Sequence, residues 1–515
     1  MHHDRLSVRP DIFFDLKWWR KCRVKLLIVT DSSSGGFGPT EGFHLGQILA
    51  VLADDPWSHV TFDVTKAHRQ ASATADLPNF RFDTHDLSAY SQVWLFGITT
   101  TQDPLSAGEL KALSQFMDAG GGVFATGDHQ DLGRPLCGEV PRVRSMRRWH
   151  WPNAGPNGEP VAPDQSGTER HDTVMHLSAG GNQSDAVPQP IRPRFYSRHA
   201  GFGLVPKVAR FPHPVLCGPA GVIDLLPDHM HEGRCEVPSD LSRTFTFAGY
   251  TTTEYPTVNG HQPQPEVIAW ATTRNTDGAE FGVLGAYDGH HAGVGRVVVD
   301  ATWHHWFNIN LLGFVNATNP AHASYNPAVV PQWNEIKAYF RNVAAWLARP
   351  SLQTCLRTGG WLIATTYYDI LITYRDLKTV PDKATYFWQL GVFARDALGQ
   401  IASQCQTTRW LFDLIEWVPW RIDPWWPFPR PPLPDPPPWV DVLELETVAL
   451  GGAMHALLDA FGAEREIDAL MSKRTDEIEA VARKGAAVAL TEWSERAQAA
   501  LRDATRLGEL GRRLQ

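Results

Sequence analysis

Two hydrophobic periods alternate along the first 350 residues, and the changes between them mark out elements. Val24-Lys-Leu-Leu-Ile-Val-Thr30 is a nearly continuous apolar run, which predicts a parallel strand covered on both faces. A Gly/Ser-rich loop, 31–38, leads into a helical pattern from Glu41 to about Asp54, with Phe43, Leu45, Ile48, Leu49 and Leu52 supplying most of the apolar face. Residues 60–64 alternate like a short strand, and 92–97 form another buried run. Ser106 and Glu109 have the spacing of a capping box ahead of the stripe Leu110, Leu113 and Phe116, and Gly120-Gly-Gly122 predicts the stop. The next strand, 123–126, ends abruptly in Gly127-Asp128-His129. Strands and helices in this order, with short connections, imply right-handed crossovers and a doubly wound, mostly parallel, flavodoxin-like α/β sheet.

The pattern dissolves over 134–242 into Pro, Gly, His and Arg, a long irregular insertion of the kind that usually carries function. Strand patterns return at 244–249, 267–271, 281–286 and 296–299, and the last runs into Asp300-Ala-Thr-Trp-His-His-Trp306. An apolar helical segment to about Val315 and a helix over 332–348 close an α/β domain spanning 1–349. Beyond Pro350 the chain predicts an all-helical region, 350–515, with Gly485 as a break. Within it, 419–438 is so rich in Pro and Trp that it predicts an ordered, extended strap rather than helix.

Composition narrows the function classes. Forty-seven Lys and Arg against 56 Asp and Glu give a formal charge of −9, which argues against nucleic-acid binding and against a polybasic membrane surface. No run of 18 apolar residues predicts a membrane span, and the N-terminus has no uninterrupted apolar stretch of the signal-peptide kind. Six cysteines without CxxC spacing indicate neither a disulfide framework nor a zinc ribbon. The expectation is a soluble, cytoplasmic protein in a reducing compartment. The 21 histidines are unusual and call for an explanation.

In a doubly wound sheet, ligands bind at the carboxyl ends of the strands. That rule selects 31–38, 97–101, 127–133 and 300–306. Two of these hold clustered titratable residues, Asp128-His129 and Asp300…His304-His305, and two further clusters, Asp228-His-Met-His-Glu232 and Asp288-Gly-His-His291, lie in irregular chain. Imidazole and carboxylate together serve acid–base catalysis or a divalent metal. The competing roles are helix capping at Asp128, packing for one of the adjacent His304 and His305, and solvated turns at 228–232 and 288–291. Arg142, Arg144, Arg147 and Arg148 with Trp149, His150 and Trp151 form a basic-aromatic cluster that suits an anion or a sugar face, or else a surface patch.

The segment Leu105-Ser-Ala-Gly-Glu-Leu…Phe116-Met-Asp-Ala-Gly-Gly-Gly-Val-Phe-Ala-Thr-Gly127 resembles the ThuA-like (trehalose-utilisation) branch of the class I glutamine amidotransferase-like superfamily. His213-Pro-Val-Leu, Asp228-His-Met-His-Glu232 and Gly295-Arg-Val-Val-Val are similar to it too, and the resemblance covers about 24–348. It implies a pocket above the sheet and a carbohydrate or other small polar substrate. In the amidotransferase relatives the strand ending near Thr126 leads into an elbow bearing a nucleophilic Cys. Here the turn reads Thr126-Gly-Asp-His-Gln130, so a Cys-dependent glutaminase is not expected. The later His of those relatives is matched by His304 or His305.

The expected function is a hydrolase or carbohydrate-modifying enzyme, with Asp128, His129, His304 and His305 catalytic. Ser33, Arg147, Trp149 and Glu232 are expected at the substrate. A divalent metal would be held by Asp128, His129, His229 and His231. The alternative is a non-catalytic ligand-sensing or assembly protein whose helical region makes a homo-oligomer or binds a partner. The two strands ending at Thr126 and Val299 should lie close together and open their loops into one pocket.

Overall fold

The buried runs assemble into one sheet. The computed structural model describes residues 22–32, 34–54, 59–129, 131–147, 170–171, 173, 185–199, 208–228, 232–260, 262–274, 278–415, 425, 441–461 and 475–513. The sheet strands are β1 (Cys22–Thr30), β2 (Val60–His68), β3 (Gln92–Phe96), β4 (Gly122–Thr126), β5 (Arg192–Pro193), β6 (Glu266–Thr272), β7 (Glu280–Tyr287) and β8 (Val297–Asp300). Their order is β2-β1-β3-β4-β8-β7-β6-β5. The strands from β2 to β8 in this order run parallel, and β7, β6 and β5 extend the sheet by antiparallel pairing. The first four positions in the order, β2-β1-β3-β4, are the flavodoxin-like arrangement that the sequence predicts.

Register aligns four strand ends. Thr30 faces Phe96, Phe96 faces Thr126, and Thr126 faces Asp300, so β1, β3, β4 and β8 deliver their next residues to one level of the carboxyl edge. Asp31, Gly97, Gly127 and Ala301 begin that row. β3, β4 and β8 are buried along their whole length, which is why their sequences lack alternation.

Helices α1 (Gly46–Ala53), α2 (Ala107–Asp118), α3 (Asn308–Thr318) and α4 (Val329–Trp346) belong to this lobe. The capping box of α2 forms as predicted: Ser106 accepts from the Glu109 N–H, and Glu109 accepts from the Ser106 N–H at 3.1 Å. The core is aromatic, with Trp94, Phe96 and Phe124 packed around Trp306 and only 4.4 Å between the Phe124 and Trp306 ring centroids. Thr244–Phe247 is a strand, as the pattern predicts, but it turns at Ala248-Gly249 and pairs with an unpredicted strand, Tyr250–Thr253, in a separate hairpin outside the main sheet.

The C-terminal lobe is helical: α5 (Pro350–Ala364), α6 (Lys383–Ile401), α7 (Gln404–Ile415), α8 (Val442–Phe461) and α9 (Thr475–Arg513). Gly485 does not break α9, which is continuous through it. The glycine instead allows two helix backbones to touch, since a Cβ there would lie 2.2 Å from the Gly452 carbonyl oxygen on α8. The strap 419–438 lies outside the described residues except for Trp425, which is buried and donates its indole N–H to the Pro212 carbonyl at 2.9 Å.

One expectation is overturned outright. Cys22 on β1 and Cys355 on α5 form a disulfide across 333 residues, where the spacing of the cysteines gave no sign of one. The bond joins the two lobes. Among the described residues no helix is long and apolar enough to cross a membrane.

Candidate active site at the carboxyl edge of the sheet

The parallel pairing of β4 with β8 brings the two histidine-bearing loops side by side. His304 Nε2 lies 3.7 Å from Asp128 Oδ2, and His129 Nδ1 lies 3.4 Å from the same oxygen. Asp128 and His304 are buried, while the His129 side chain is 15% exposed and forms the outer rim of the set. His304 is held from three sides. Its ring stacks on Trp303 at 3.7 Å between centroids, Phe43 meets it edge-on, and Nδ1 is 2.8 Å from Asn310 Oδ1.

Asn310 also fixes the tautomer. Its amide Nδ2 donates to the Asp228 carbonyl at 2.9 Å, so its Oδ1 must be the atom facing His304. The His304 Nδ1 therefore carries a proton and donates it to that oxygen. Nε2 is left to accept or carry the second proton towards Asp128.

His305 has a different environment, as expected of the neighbouring residue in a turn. Nδ1 donates to Asp300 Oδ1 at 2.7 Å, Nε2 faces Gln189 Oε1 at 3.2 Å, and Glu232 Oε1 lies 3.8 Å away. Burial opposes charge on this ring, but Asp300 and Glu232 outweigh it and push its pKa up to about 10. His305 is an imidazolium at neutral pH. Asp300 is saturated by four donors, namely His305, the Thr302 N–H, the Trp306 indole at 2.8 Å and the Tyr339 hydroxyl at 3.0 Å. Glu232 accepts from Thr173 at 3.5 Å, and Thr173 also reaches Asp228 at 3.0 Å. Gln189 Nε2 and Glu232 Oε2 are buried and have no hydrogen-bond partner among the described residues.

Arg147 lies beneath these loops rather than at a substrate surface. It is buried and donates to the carbonyls of Asp128 at 2.5 Å, Ala301 at 2.6 Å and Asp300 at 3.2 Å, pinning the ends of β4 and β8 together. Arg142 is buried likewise, against Asp118 and the Glu254 carbonyl. Two of the three described arginines of the basic-aromatic cluster are thus internal, while Arg144 is half-buried over the Phe245 ring. Asp288-Gly-His-His291 stands at the junction of the lobes, where Asp288 pairs with Arg296 at 2.8 Å and His291 lies 3.0 Å from Arg409 of α7.

Ser33, Trp149, His229 and His231 lie outside the described residues. Among the described residues no group of three His, Cys, Asp or Glu side chains is arranged to hold a metal ion. Three participants had no motif to announce them. Asn310 and Gln189 are ordinary polar residues in sequence, and only their contacts with the histidines mark them. Asp31 had a weaker signal, its position directly after a buried strand. Its Oδ1 accepts from the Ile98 N–H at 2.7 Å, joining the ends of β1 and β3, and burial raises its pKa to about 7. Cys137 is buried with its thiol pushed up, as a structural rather than nucleophilic cysteine would be.

No family model matches the chain, and no curated protein matches it. Among solved structures the chain is similar to the N-terminal domain of mmIFT52, at 8% identity and a TM-score of 0.27, over 57% of this chain and 95% of that one. It is also similar to a ThuA-like protein from Bacteroides uniformis, at 11% identity and a TM-score of 0.23, over 60% of this chain and 96% of that one. At these values neither likeness bears on function.

Proposed function

We propose that the protein is a hydrolase of small polar substrates, sugars among them, working by acid–base catalysis with Asp128 and His304. The observation that carries this reading is the line Asn310–His304–Asp128, in which one imidazole nitrogen is fixed as a donor and the other faces a buried carboxyl group. Such a pair places an imidazole nitrogen and a carboxyl oxygen where a proton can pass between them through the reacting groups. With that proton on Asp128, His304 Nε2 takes a proton from water as its oxygen attacks the substrate. Asp128 then gives its own proton to the leaving group, and transfer from His304 back to Asp128 restores the starting state. The nearby imidazolium of His305 supplies a fixed positive charge, and Gln189 and Glu232 supply polar atoms suited to hydroxyl groups. Asp128 and His304 lie deep, which makes the His129 side the approach.

The test is turnover of a panel of chromogenic glycosides and esters by the wild type, Asp128→Asn, His304→Ala and the double variant. Each single change should lower kcat by 10²-fold or more, and the double variant should be no worse than either, because the pair acts as a unit. Additive losses in folded variants would mean that the two residues do not share a step. Metal assistance would draw on His229 and His231, and a stoichiometric divalent ion lost in Asp128→Ala is the measurement that would add it.

A second reading, a ligand-sensing or assembly protein, has its own support. An open cleft of about 560 Å³ lies among the C-terminal helices, lined by Thr385, Trp388, Asp441, Glu444 and Arg496 among others, far along the chain from the histidines. Exposed Leu507 and Leu510, three residues apart on one face of α9, offer an apolar contact for self-association. Absence of turnover across the panel, with size-exclusion chromatography showing an oligomer, would favour this reading.

A further inference from the structure

Two of the four free cysteines meet at the junction of the lobes. Cys217 belongs to a short hairpin, Cys217–Gly218 paired with Gly221–Val222, in the α/β lobe, and Cys405 lies in the first turn of α7. Both are buried, and they form one apolar cluster with Phe412 and Trp425, with Tyr196 and Phe211 packed against it. The backbone on the α/β side is held in place, since Asn342 donates to the Cys217 carbonyl at 3.0 Å. A cavity of about 30 Å³ adjoins the cluster, and Tyr196 and Trp425 line it along with His213, Glu266 and Arg409. That volume admits a molecule about the size of water and nothing much larger.

We propose that Cys217 and Cys405 are a peroxide-reactive thiol pair, with Cys217 attacking and Cys405 resolving, whose oxidation adds a second covalent link between the lobes. The roles follow from what surrounds each sulfur. Cys217 packs beside Cys405 at the start of α7, and the Cys405 thiol, the Ser403 hydroxyl and the backbone there lower its pKa despite burial. Burial and the neighbouring sulfur push Cys405 the other way, so it keeps its proton. In the first step the Cys217 thiolate attacks one oxygen of hydrogen peroxide, the O–O bond breaks, and hydroxide leaves, giving a sulfenic acid. In the second, Cys405 sulfur attacks the Cys217 sulfur, the S–O bond breaks, and the Cys405 proton leaves with the hydroxyl as water. Two thiols lose two electrons and one peroxide becomes two waters once the hydroxide is protonated. The hairpin and α7 are then joined by a disulfide, in addition to Cys22–Cys355.

The full-length protein is treated with hydrogen peroxide, quenched, alkylated in denaturant and digested without reduction for mass spectrometry. The expected result is a 217–405 cross-linked peptide, rising from absent to the major form of those two residues while the 22–355 cross-link is unchanged. In Cys405→Ser, dimedone should trap a sulfenic acid on Cys217; in Cys217→Ser, position 405 should stay a thiol. The proposal fails if both residues are alkylated as thiols after peroxide treatment of the folded wild type. It fails equally if Cys217 becomes linked to a different cysteine, or if dimedone labels Cys405 in place of Cys217.

Discussion

His305 and Asp31 are both buried with raised pKa values, and both make stability depend on pH in the same sense. For His305 the folded value is about 10 against an ordinary 6.5, so the folded state holds a proton that the unfolded chain gives up. The stabilisation is fully present below pH 6.5 and is lost as pH rises through 10, on the order of a few kcal/mol. Denaturant titrations of the wild type should show this fall, and His305→Gln should flatten it. For Asp31 the folded value is about 7 against 3.8, so stability should decline between pH 4 and 7 and then level off. Asp31→Asn should remove that decline and keep the acceptor for the Ile98 N–H. A profile for Asp31→Asn that still falls over that window would show that the carboxyl group is not its source. Cys137 belongs at this scale too. With its thiol buried and pushed up, Cys137→Ala should leave any turnover within about twofold of the wild type, since no thiolate forms there to attack.

At the scale of elements, the close crossing of α8 and α9 makes a sharp demand. Gly485→Ala drives a methyl group into the Gly452 carbonyl, and should lower stability by about 1–3 kcal/mol, read as a lower melting temperature. A change in an exposed glycine such as Gly508, which has open space around its Cα, should not. The same glycine shows where sequence reading succeeded and where it did not. Periodicity revealed a helix over this stretch, but a lone Gly in a helical pattern reads as a break unless the facing helix is known. β1, β3 and β4 were legible because strands buried on both faces leave continuous apolar runs. β5 was not, because two residues carry no period. Asp128 and His304 could be named from the rule that loops at strand ends carry chemistry, and the Ser106 box from its spacing. Asn310 and Gln189 could not, since a single amide says nothing of what it faces until the chain is folded.

For the whole molecule, the Cys22–Cys355 bond is the main correction to the sequence reading. Two cysteines separated by 333 residues produce no local pattern, and only the packing of β1 against α5 brings them together. The bond constrains the unfolded chain, so reduction should lower stability by about 2–4 kcal/mol, and Cys22→Ser should melt at the same temperature with or without dithiothreitol. A wild type whose melting is indifferent to reductant would show that the bond is absent from the protein in solution.

That bond also decides how the molecule carries tension. A pull applied to its two ends passes from residue 22 directly to residue 355 and never reaches the sheet. The helices after Cys355 would unravel, while the strands that lead to Asp128 and His304 stay slack behind the sulfur bridge. Adding reductant under load would release the shielded stretch of 333 residues in one length of chain, roughly 110–120 nm at full extension. The fold thus places its candidate chemistry in the part of the chain that bears no force.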